Sequence, residues 1–322
     1  MTGSGDESVP AAAIIQYIWD FLVVFLLTVY YILEGCVKAM LPSGILPRKD
    51  VRGKIMLITG TGSGLGRLSA IKFGELGARM VLWDVNEKLN LETLEILKKK
   101  GIEAWAYTVD VSNRKAIYEA ADRVKKEVGD VDILFNNAGI VSGKKIFENN
   151  DDLMEKTVAV NTTSLFWTTK AFLPKMIEKN EGHLVTLASM AGKSGTAGLV
   201  DYCASKFGAV GFSESLRAEM AVLGKDIPVT IVCPFYINTG MFDGVKTYAP
   251  LTLPILEPEY VVEKIVEAVL TNQADVYMPR YCYVLAGLAG ILPYKAGFTV
   301  AQYLGVHRTM DHFTGRTPKK TN

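Results

Sequence analysis

The sequence predicts a single doubly wound parallel α/β sheet preceded by a hydrophobic anchor helix. Three observations carry that expectation. Short apolar runs alternate with helix-periodic segments from Lys54 to Met278, the pattern of repeated β-then-α units with right-handed crossovers. A glycine-rich turn, Gly60 to Gly66, joins the first apolar run to the first helix. Ahead of both lies a 23-residue apolar run, Ala11 to Leu33, interrupted by Gln16 and Asp20.

Composition narrows the class. The 322 residues suffice for one large domain with appendages. Thirty-five basic residues against thirty-four acidic ones, net +1, argue against nucleic acid as the main partner. The four cysteines (Cys36, Cys203, Cys233 and Cys282) follow neither metal-ligand spacing nor a disulfide framework, which suits a reducing compartment. Mean hydropathy is +0.19, high for a soluble enzyme, and the excess sits at the ends.

Residues 1–10 are small and polar and are expected to be disordered. Residues 11–33 are long enough to cross a bilayer as a helix, with Tyr17, Trp19, Tyr30 and Tyr31 where interfacial belts would lie. A mid-bilayer Asp costs about 2.5–3.5 kcal/mol. Spanning the bilayer and lying in one leaflet with Asp20 at the surface are therefore both open, and a long buried helix is the soluble alternative. Lys38, Arg48, Lys49, Arg52 and Lys54 follow the run and no basic residue precedes it, so the positive-inside rule puts the C-terminal side in the cytosol. Residues 34–52, with Pro42, Gly44 and Pro47, read as a linker to a domain over 53–280.

Lys54 to Thr59 reads as a strand buried on both faces. The glycines follow at once, and Ser69 to Leu76 looks helical. Strand, glycine turn and helix form a phosphate site, because glycine permits close backbone approach and a helix N-terminus attracts anions. The candidates there are Gly60, Ser63, Gly64, Leu65 and Gly66. The strand Arg79 to Trp83 ends in Asp84, eighteen residues after Gly66. A carboxylate there can accept from ribose hydroxyls and would repel a 2′-phosphate. No Arg or Lys stands between Thr61 and Leu65 or just after Asp84, so the pattern favours NAD over NADP. Capping the helix that starts near Glu87 is the structural alternative for Asp84.

The alternation continues through a strand over 104–109 ending at Asp110, a helix over 114–128, and a strand over 131–135 ending in Asn136-Asn137-Ala138-Gly139. A helix over 153–176 contains Asn161, and a strand over 183–188 ends at Ser189. A helix over 201–223 carries Tyr202 and Lys206, a strand over 228–233 ends at Pro234, and a helix over 258–270 and a strand over 274–278 complete the set. In such sheets ligands bind at the carboxyl ends of the strands. The glycine turn, Asp84, Asp110, Asn136, Ser189 and Pro234 all fall there.

Tyr202 and Lys206 share a helix face one turn apart. A phenol ionises near pH 10, and a fixed ammonium beside it favours the phenolate. Such a tyrosine can act as general acid or base on a carbonyl or an alcohol. A Tyr-x-x-x-Lys spacing alone recurs by chance in helices, so its company decides.

That company resembles the short-chain dehydrogenase/reductase family over about residues 53–280. Thr59 to Gly66 fits the family's TGxxxGxG loop, Asn136 to Gly139 its NNAG segment, and Ser189 stands thirteen residues before Tyr202, the family spacing. Pro234 to Thr239 resembles its PGxxxT segment, with Phe235 where glycine is usual. The anchor together with LITGTGSGLGR, VLWD, NNAGIVSGKK, DYCASKFGAVGF, TIVCPF and LPILEP resembles the membrane-associated retinol and 17-beta-hydroxysteroid dehydrogenase branch. The resemblance implies a Rossmann fold holding NAD on the glycine loop and Asp84 together with Asp110, Val111, Asn137, Ala138, Gly139, Tyr202, Lys206, Pro234, Ile237 and Thr239. It implies a catalytic set of Asn161, Ser189, Tyr202 and Lys206. In that set Tyr202 is base or acid, Lys206 lowers its pKa, Ser189 holds the substrate oxygen and Asn161 holds a relay water. It also implies an endoplasmic reticulum membrane or lipid-droplet setting and a homodimer through the helices bearing Asn161 and Tyr202. The sequon at Asn161 is read as coincidental, since glycosylation would destroy the site.

Residues 237–256 read as a substrate lid, with Met241 and Phe242 joining Ser189 and Tyr202 around a lipophilic alcohol or carbonyl. Residues 281–322 read as an apolar segment and a basic tail. The apolar part is too short to span a bilayer, and interface, core and dimer contact are all open. The terminal Lys319-Lys320 resembles a dilysine retrieval signal. The competing readings of function are an NADPH-dependent carbonyl reductase and a non-catalytic lipid-droplet coat protein that kept the fold.

Overall fold

The computed structural model describes residues 10–40 and 44–315. The expectations for residues 1–9, for Pro42 and for Lys319-Lys320 lie outside the described residues. The chain divides into two units, with the boundary between Arg48 and Lys49.

The first unit is the helix α1, Ala11–Met40. Its stretch Ala11–Gly35, 25 residues of mean hydropathy 2.0, has no part buried in the fold. At about 1.5 Å per residue it is long enough for a hydrocarbon core of about 30 Å. Its polar interruptions are bonded within the helix: Gln16 Nε2 donates to Asp20 Oδ1 (2.8 Å) and Thr28 Oγ1 to the Val24 carbonyl (2.8 Å). Internal pairing lowers the cost of taking such groups into an apolar phase.

The second unit is built on a seven-stranded parallel sheet of order β3-β2-β1-β4-β5-β6-β7. The strands are β1 (Ile55–Thr59), β2 (Arg79–Asp84), β3 (Ala104–Thr108), β4 (Ile133–Asn136), β5 (His183–Leu187), β6 (Val229–Pro234) and β7 (Asp275–Met278). Side chains alternate across the sheet. Met56 and Ile58 enter a core with α2 (Gly64–Glu75), α3 (Glu87–Lys99) and α8 (Pro258–Leu270). Ile55 and Leu57 enter the opposite core with α4 (Arg114–Glu127), α6 (Ser164–Lys179) and α7 (Val200–Val222). Layers on both faces explain why β1 and β4 are buried throughout and apolar up to their last residues, Thr59 and Asn136. β1 pairs with both β2 and β4, Leu57 standing opposite Val81 and Leu134. Strand order reverses there, which opens a crevice beyond the carboxyl ends of β1 and β4.

Three local expectations are corrected. α2 starts at Gly64, five residues before the expected Ser69, so Leu65 and Gly66 belong to its first turn and the phosphate cradle is partly helix. The helix expected over 153–176 is α5 (Asp151–Val158), a π-helical segment Ala159–Thr163 and α6. The cap of α3 is Asn86, whose side chain accepts from the Leu89 amide; Asp84 accepts instead from the Asn86 and Gly62 amides.

At the opposite, amino ends of β5 and β6 a polar chain fixes the start of the unit. The Lys49 amide donates to the Leu270 carbonyl, and its Nζ lies 2.6 Å from His183 Nδ1. Thr230 Oγ1 donates to the Gln273 carbonyl, so His183 Nε2, 2.8 Å away, donates to Thr230 and Nδ1 accepts from Lys49. Burial, then the Lys49 charge, holds the imidazole neutral, and burial lowers Lys49 to about 8.

After β7 the chain forms α9 (Tyr281–Ala289) and α10 (Tyr294–Tyr303). Cys282 of α9, Leu304 and Leu253 share a small core. The segment from Thr309 then returns over residues 236–246. Thr309 Oγ1 lies 2.9 Å from the Tyr236 hydroxyl, the Lys246 amide donates to the Thr309 carbonyl, and the Thr314 amide donates to the Asp243 carbonyl (2.8 Å).

Candidate active site

The glycine turn is shaped by contacts that admit no side chain. A Cβ on Gly66 would lie 2.0 Å from the Gly60 carbonyl oxygen and 2.7 Å from Asn137 Nδ2. Gly60 adopts φ +74°, left-handed backbone that favours glycine. Asn137 ties the turn to β4: its Nδ2 donates to the Thr59 carbonyl (2.7 Å), and the Asn137 and Ala138 amides donate to Thr59 Oγ1 (both 3.0 Å). α2 has no acidic residue in its first turn, so the positive end of its dipole faces the crevice uncompensated.

Asp84, at the end of β2, is held beside this cradle by the Gly62 amide (2.7 Å). Arg67, the cation next in sequence to the loop, does not line the cavity beside it. It donates to the Gly62 and Leu89 carbonyls and to Thr93 Oγ1, and pairs with Glu92. Asp110 accepts from the Ser112 amide and hydroxyl.

Tyr202 and Lys206 lie in the first turns of α7, both buried. Lys206 Nζ donates to the Leu187 carbonyl at the end of β5 (2.7 Å) and stands 5.6 Å from the centroid of the Tyr202 ring. Burial lowers its pKa to about 8. Burial also pushes the Tyr202 phenol well above its ordinary value, while a hydrogen bond to Ser189 pulls the other way. Burial is therefore the larger influence on the phenol, with Lys206 Nζ close by its ring. Ser189 Oγ accepts from the Ala191 amide (3.1 Å) and donates over a longer distance to the Pro234 carbonyl (3.4 Å).

Asn161 sits in the π-helical segment, and both of its amide hydrogens are bonded. Oδ1 accepts from the Ile140 amide (2.9 Å), and Nδ2 donates to the Ile140 carbonyl (2.9 Å) and to Ser205 Oγ (3.0 Å). Thr162 Oγ1 adds a bond to the Ser205 carbonyl (2.7 Å). The segment is thus clamped to α7 beneath Lys206. A π-turn at such a place is a frequent companion of function.

One continuous cavity of about 1360 Å³ joins these parts. It is lined by Gly60, Ser63 to Gly66, Asp84, Asp110, Val111, Asn137 to Gly139, Ser189, Tyr202, Lys206, Pro234, Ile237, Thr239, Met241 and Phe242. Every site residue expected from the sequence lines it except Asn161, whose Oδ1 reaches Gly139 beside Lys206 Nζ. Sequence reasoning missed Tyr236, Phe313 and a wall from the C-terminal helices, including Leu285, Leu288 and Phe298. Tyr236 was within reach, inside the PFYINT segment. Phe313 carries no local signal. Around the phenol the wall is aromatic: Phe242 stands edge-on to Tyr202 (5.7 Å), Tyr236 (5.1 Å) and Phe313 (6.3 Å). A phosphate cradle, a ribose-side carboxylate and an acid–base pair along one cleft fit a nicotinamide dinucleotide.

Comparison with known proteins agrees. The short chain dehydrogenase family model matches residues 54–248. The chain belongs to the short-chain dehydrogenase/reductase family of nicotinamide-dependent oxidoreductases. Within it, the chain is 51% identical over 294 residues to epidermal retinol dehydrogenase 2 of Homo sapiens, covering 91% of this chain and 94% of that protein. It is 41% identical over 327 residues to retinol dehydrogenase 10 of Xenopus tropicalis, covering 92% and 96%. Among solved structures it resembles a short-chain dehydrogenase/reductase from Burkholderia phymatum in complex with NAD (TM-score 0.68, 27% identity, 74% of this chain and 94% of that one). It also resembles a metagenomic short-chain oxidoreductase in complex with NADP (TM-score 0.60, 27% identity, 71% and 98%).

Proposed function

We propose that this protein is a membrane-anchored, NAD-dependent dehydrogenase for a lipophilic alcohol of the retinoid or hydroxysteroid class, working at the endoplasmic reticulum or lipid-droplet surface with its catalytic domain in the cytosol. The observation that carries the reading is the single cavity running from the glycine cradle past Tyr202 to an apolar far wall. The proposed organisation is an anchor over 11–33 whose helix continues to Met40, and a dehydrogenase domain that starts at Lys49, includes a lid over 237–256 and takes in α9 and α10. A homodimer through the helices bearing Asn161 and Tyr202 completes it.

In this reading the Gly60 to Gly66 backbone holds the pyrophosphate and Asp84 the adenosine ribose. Asp84 lines the cavity and Arg67 does not, its guanidinium being taken up by the Gly62 and Leu89 carbonyls, Thr93 and Glu92, which supports NAD. Lys206 reaches the nicotinamide ribose, and Ser189 donates to the substrate oxygen. Tyr202 takes the alcohol proton in oxidation and returns it in reduction. When bound, the oxidised nicotinamide accepts the hydride, and its positive charge adds to that of Lys206 in favouring the phenolate. Asn161 positions: it fixes Ile140 and, through Ser205, the turn of α7 that aims Tyr202 and Lys206. The names of the retinol dehydrogenases similar to this chain support the retinoid choice.

The test is NADH formation by membranes carrying the full chain, with all-trans-retinol, estradiol and a long-chain alcohol, each with NAD and with NADP. Turnover of retinol or estradiol with NAD is expected. Activity confined to NADPH and a carbonyl substrate would replace this reading with that of a carbonyl reductase.

A further inference from the structure

We propose that the hairpin of α9 and α10 is a lipid-docking rim and that the mouth it frames takes substrate directly from the membrane. This deepens the proposed function and rests on it for the identity of the substrate.

The first observation is that the same side chains belong to the cavity and to the outer surface. Leu288, Tyr294 and Phe298 line the cavity, yet they are 37%, 81% and 43% exposed. A residue with both properties stands at an opening, so the apolar end of the cavity opens between the two helices. The second is that the rim continues outward as apolar surface. Val284 and Ile291 are exposed, Ile291 by 79%, and Leu251 of the segment packed against α9 through Leu253 is 99% exposed. A patch of this kind on a soluble surface marks an interaction site. The third is charge. Between Asp275 and Asp311 the sequence has no acidic residue, and it carries Arg280, Lys295 and Arg308. Apolar tip, tyrosines at 281, 294 and 303 and flanking cations match a helix pair seated at the headgroup boundary of anionic lipid.

The occupant argued for is lipid and not a second copy. The chain carries its own apolar helix, Ala11–Gly35, so the bilayer is a local partner by proximity. The rim also surrounds a cavity mouth, which a protein partner would seal. An apolar substrate dissolved in acyl chains can cross such a rim without entering water, which removes the cost of hydrating it on the way in.

The experiment uses the full chain in phospholipid nanodiscs containing phosphatidylserine. Hydrogen exchange is compared with the same chain in detergent, and Val284→Glu/Ile291→Glu is compared with wild type. Slower exchange over residues 284–298 in nanodiscs is expected. The double variant is expected to raise the KM for retinol delivered in the same lipid by roughly tenfold or more, with unchanged kcat and unchanged turnover of a short water-soluble alcohol. Equal exchange in both media, or an unchanged KM from lipid, would overturn the proposal. So would conversion of a dimer to a monomer by the variant in detergent, since the patch would then bury a second copy. The short alcohol separates the two readings: its turnover tests the catalytic assignment without the rim, and lipid protection tests the rim without the substrate.

Discussion

The two halves of the cavity are built in different ways. The cofactor half lies at the ends of β1, β2 and β4 and is made largely of backbone: the Gly60 to Gly66 turn, the Asn137 bonds to Thr59 and the first turn of α2. Its shape is fixed within a few residues of each strand end. The substrate half is made of side chains brought from far along the chain. Phe242, Phe313 and Tyr236 meet at the phenol, and Leu285 and Phe298 close the far wall. Backbone cradles tolerate almost no change, whereas a packed aromatic wall can exchange its members at modest cost. A family can therefore keep one cofactor half while varying the other.

Substitutions in the two halves sharpen this contrast. Gly66→Ala places a methyl 2.0 Å from the Gly60 oxygen and should act most strongly on binding: cofactor affinity, read by NADH fluorescence, is expected to fall at least about a hundredfold. Affinity within about threefold of wild type would show that the cradle yields.

Lys206→Met should lower turnover by about 10²–10⁴-fold without weakening the fold at pH 7. The sign follows from the depressed pKa. Folded Lys206 titrates near 8, against an ordinary 10.5, so the folded state binds fewer protons between these values. Its stability then rises with pH across that window and is lowest, for this group, below pH 8. Removing the buried charge relieves a cost of up to about 3 kcal/mol at pH 7, partly offset by the donor lost to Leu187. Scanning fluorimetry should give a variant no less stable than wild type at pH 7, with its relative advantage shrinking toward pH 10. A variant that melts lower at pH 7 would mean that the ammonium is well solvated in the fold.

Asp84→Ser should shift the NAD to NADP preference by about ten- to hundredfold, read as the ratio of kcat/KM values. An unchanged ratio would remove Asp84 from cofactor discrimination. Phe313→Ala, in the substrate half, should be mildest: about a fivefold rise in KM for the lipophilic substrate with kcat retained. A loss of kcat instead would mean that the C-terminal segment holds Tyr202 in place.

The same contrast governs what was legible in the sequence. The strand ends, the glycine loop and the Tyr202/Lys206 pair could be read because each is a local pattern with a local cause. Asp84 was harder, since a carboxylate at that position can also cap a helix, and only the bond from Gly62, with Asn86 taking the cap, ties it to the loop. The start of α2 was misplaced because glycines 62, 64 and 66 read as a turn although the last two are helical. Asn161 could be identified as special, but its bonds to Ile140 and Ser205 depend on a π-turn that no spacing announces. The return of residues 309–315 onto Tyr236 and Asp243 depends on contacts across more than 60 positions, which no local window contains.

The central claim is that buried Tyr202 moves the proton in an alcohol dehydrogenation. Its most direct test is the initial rate of NADH formation from retinol by wild type and Tyr202→Phe in the same membranes, with cofactor binding measured alongside. The account predicts cofactor affinity within about threefold and turnover reduced by about 10²–10⁴-fold. Turnover retained by the phenylalanine variant would contradict it.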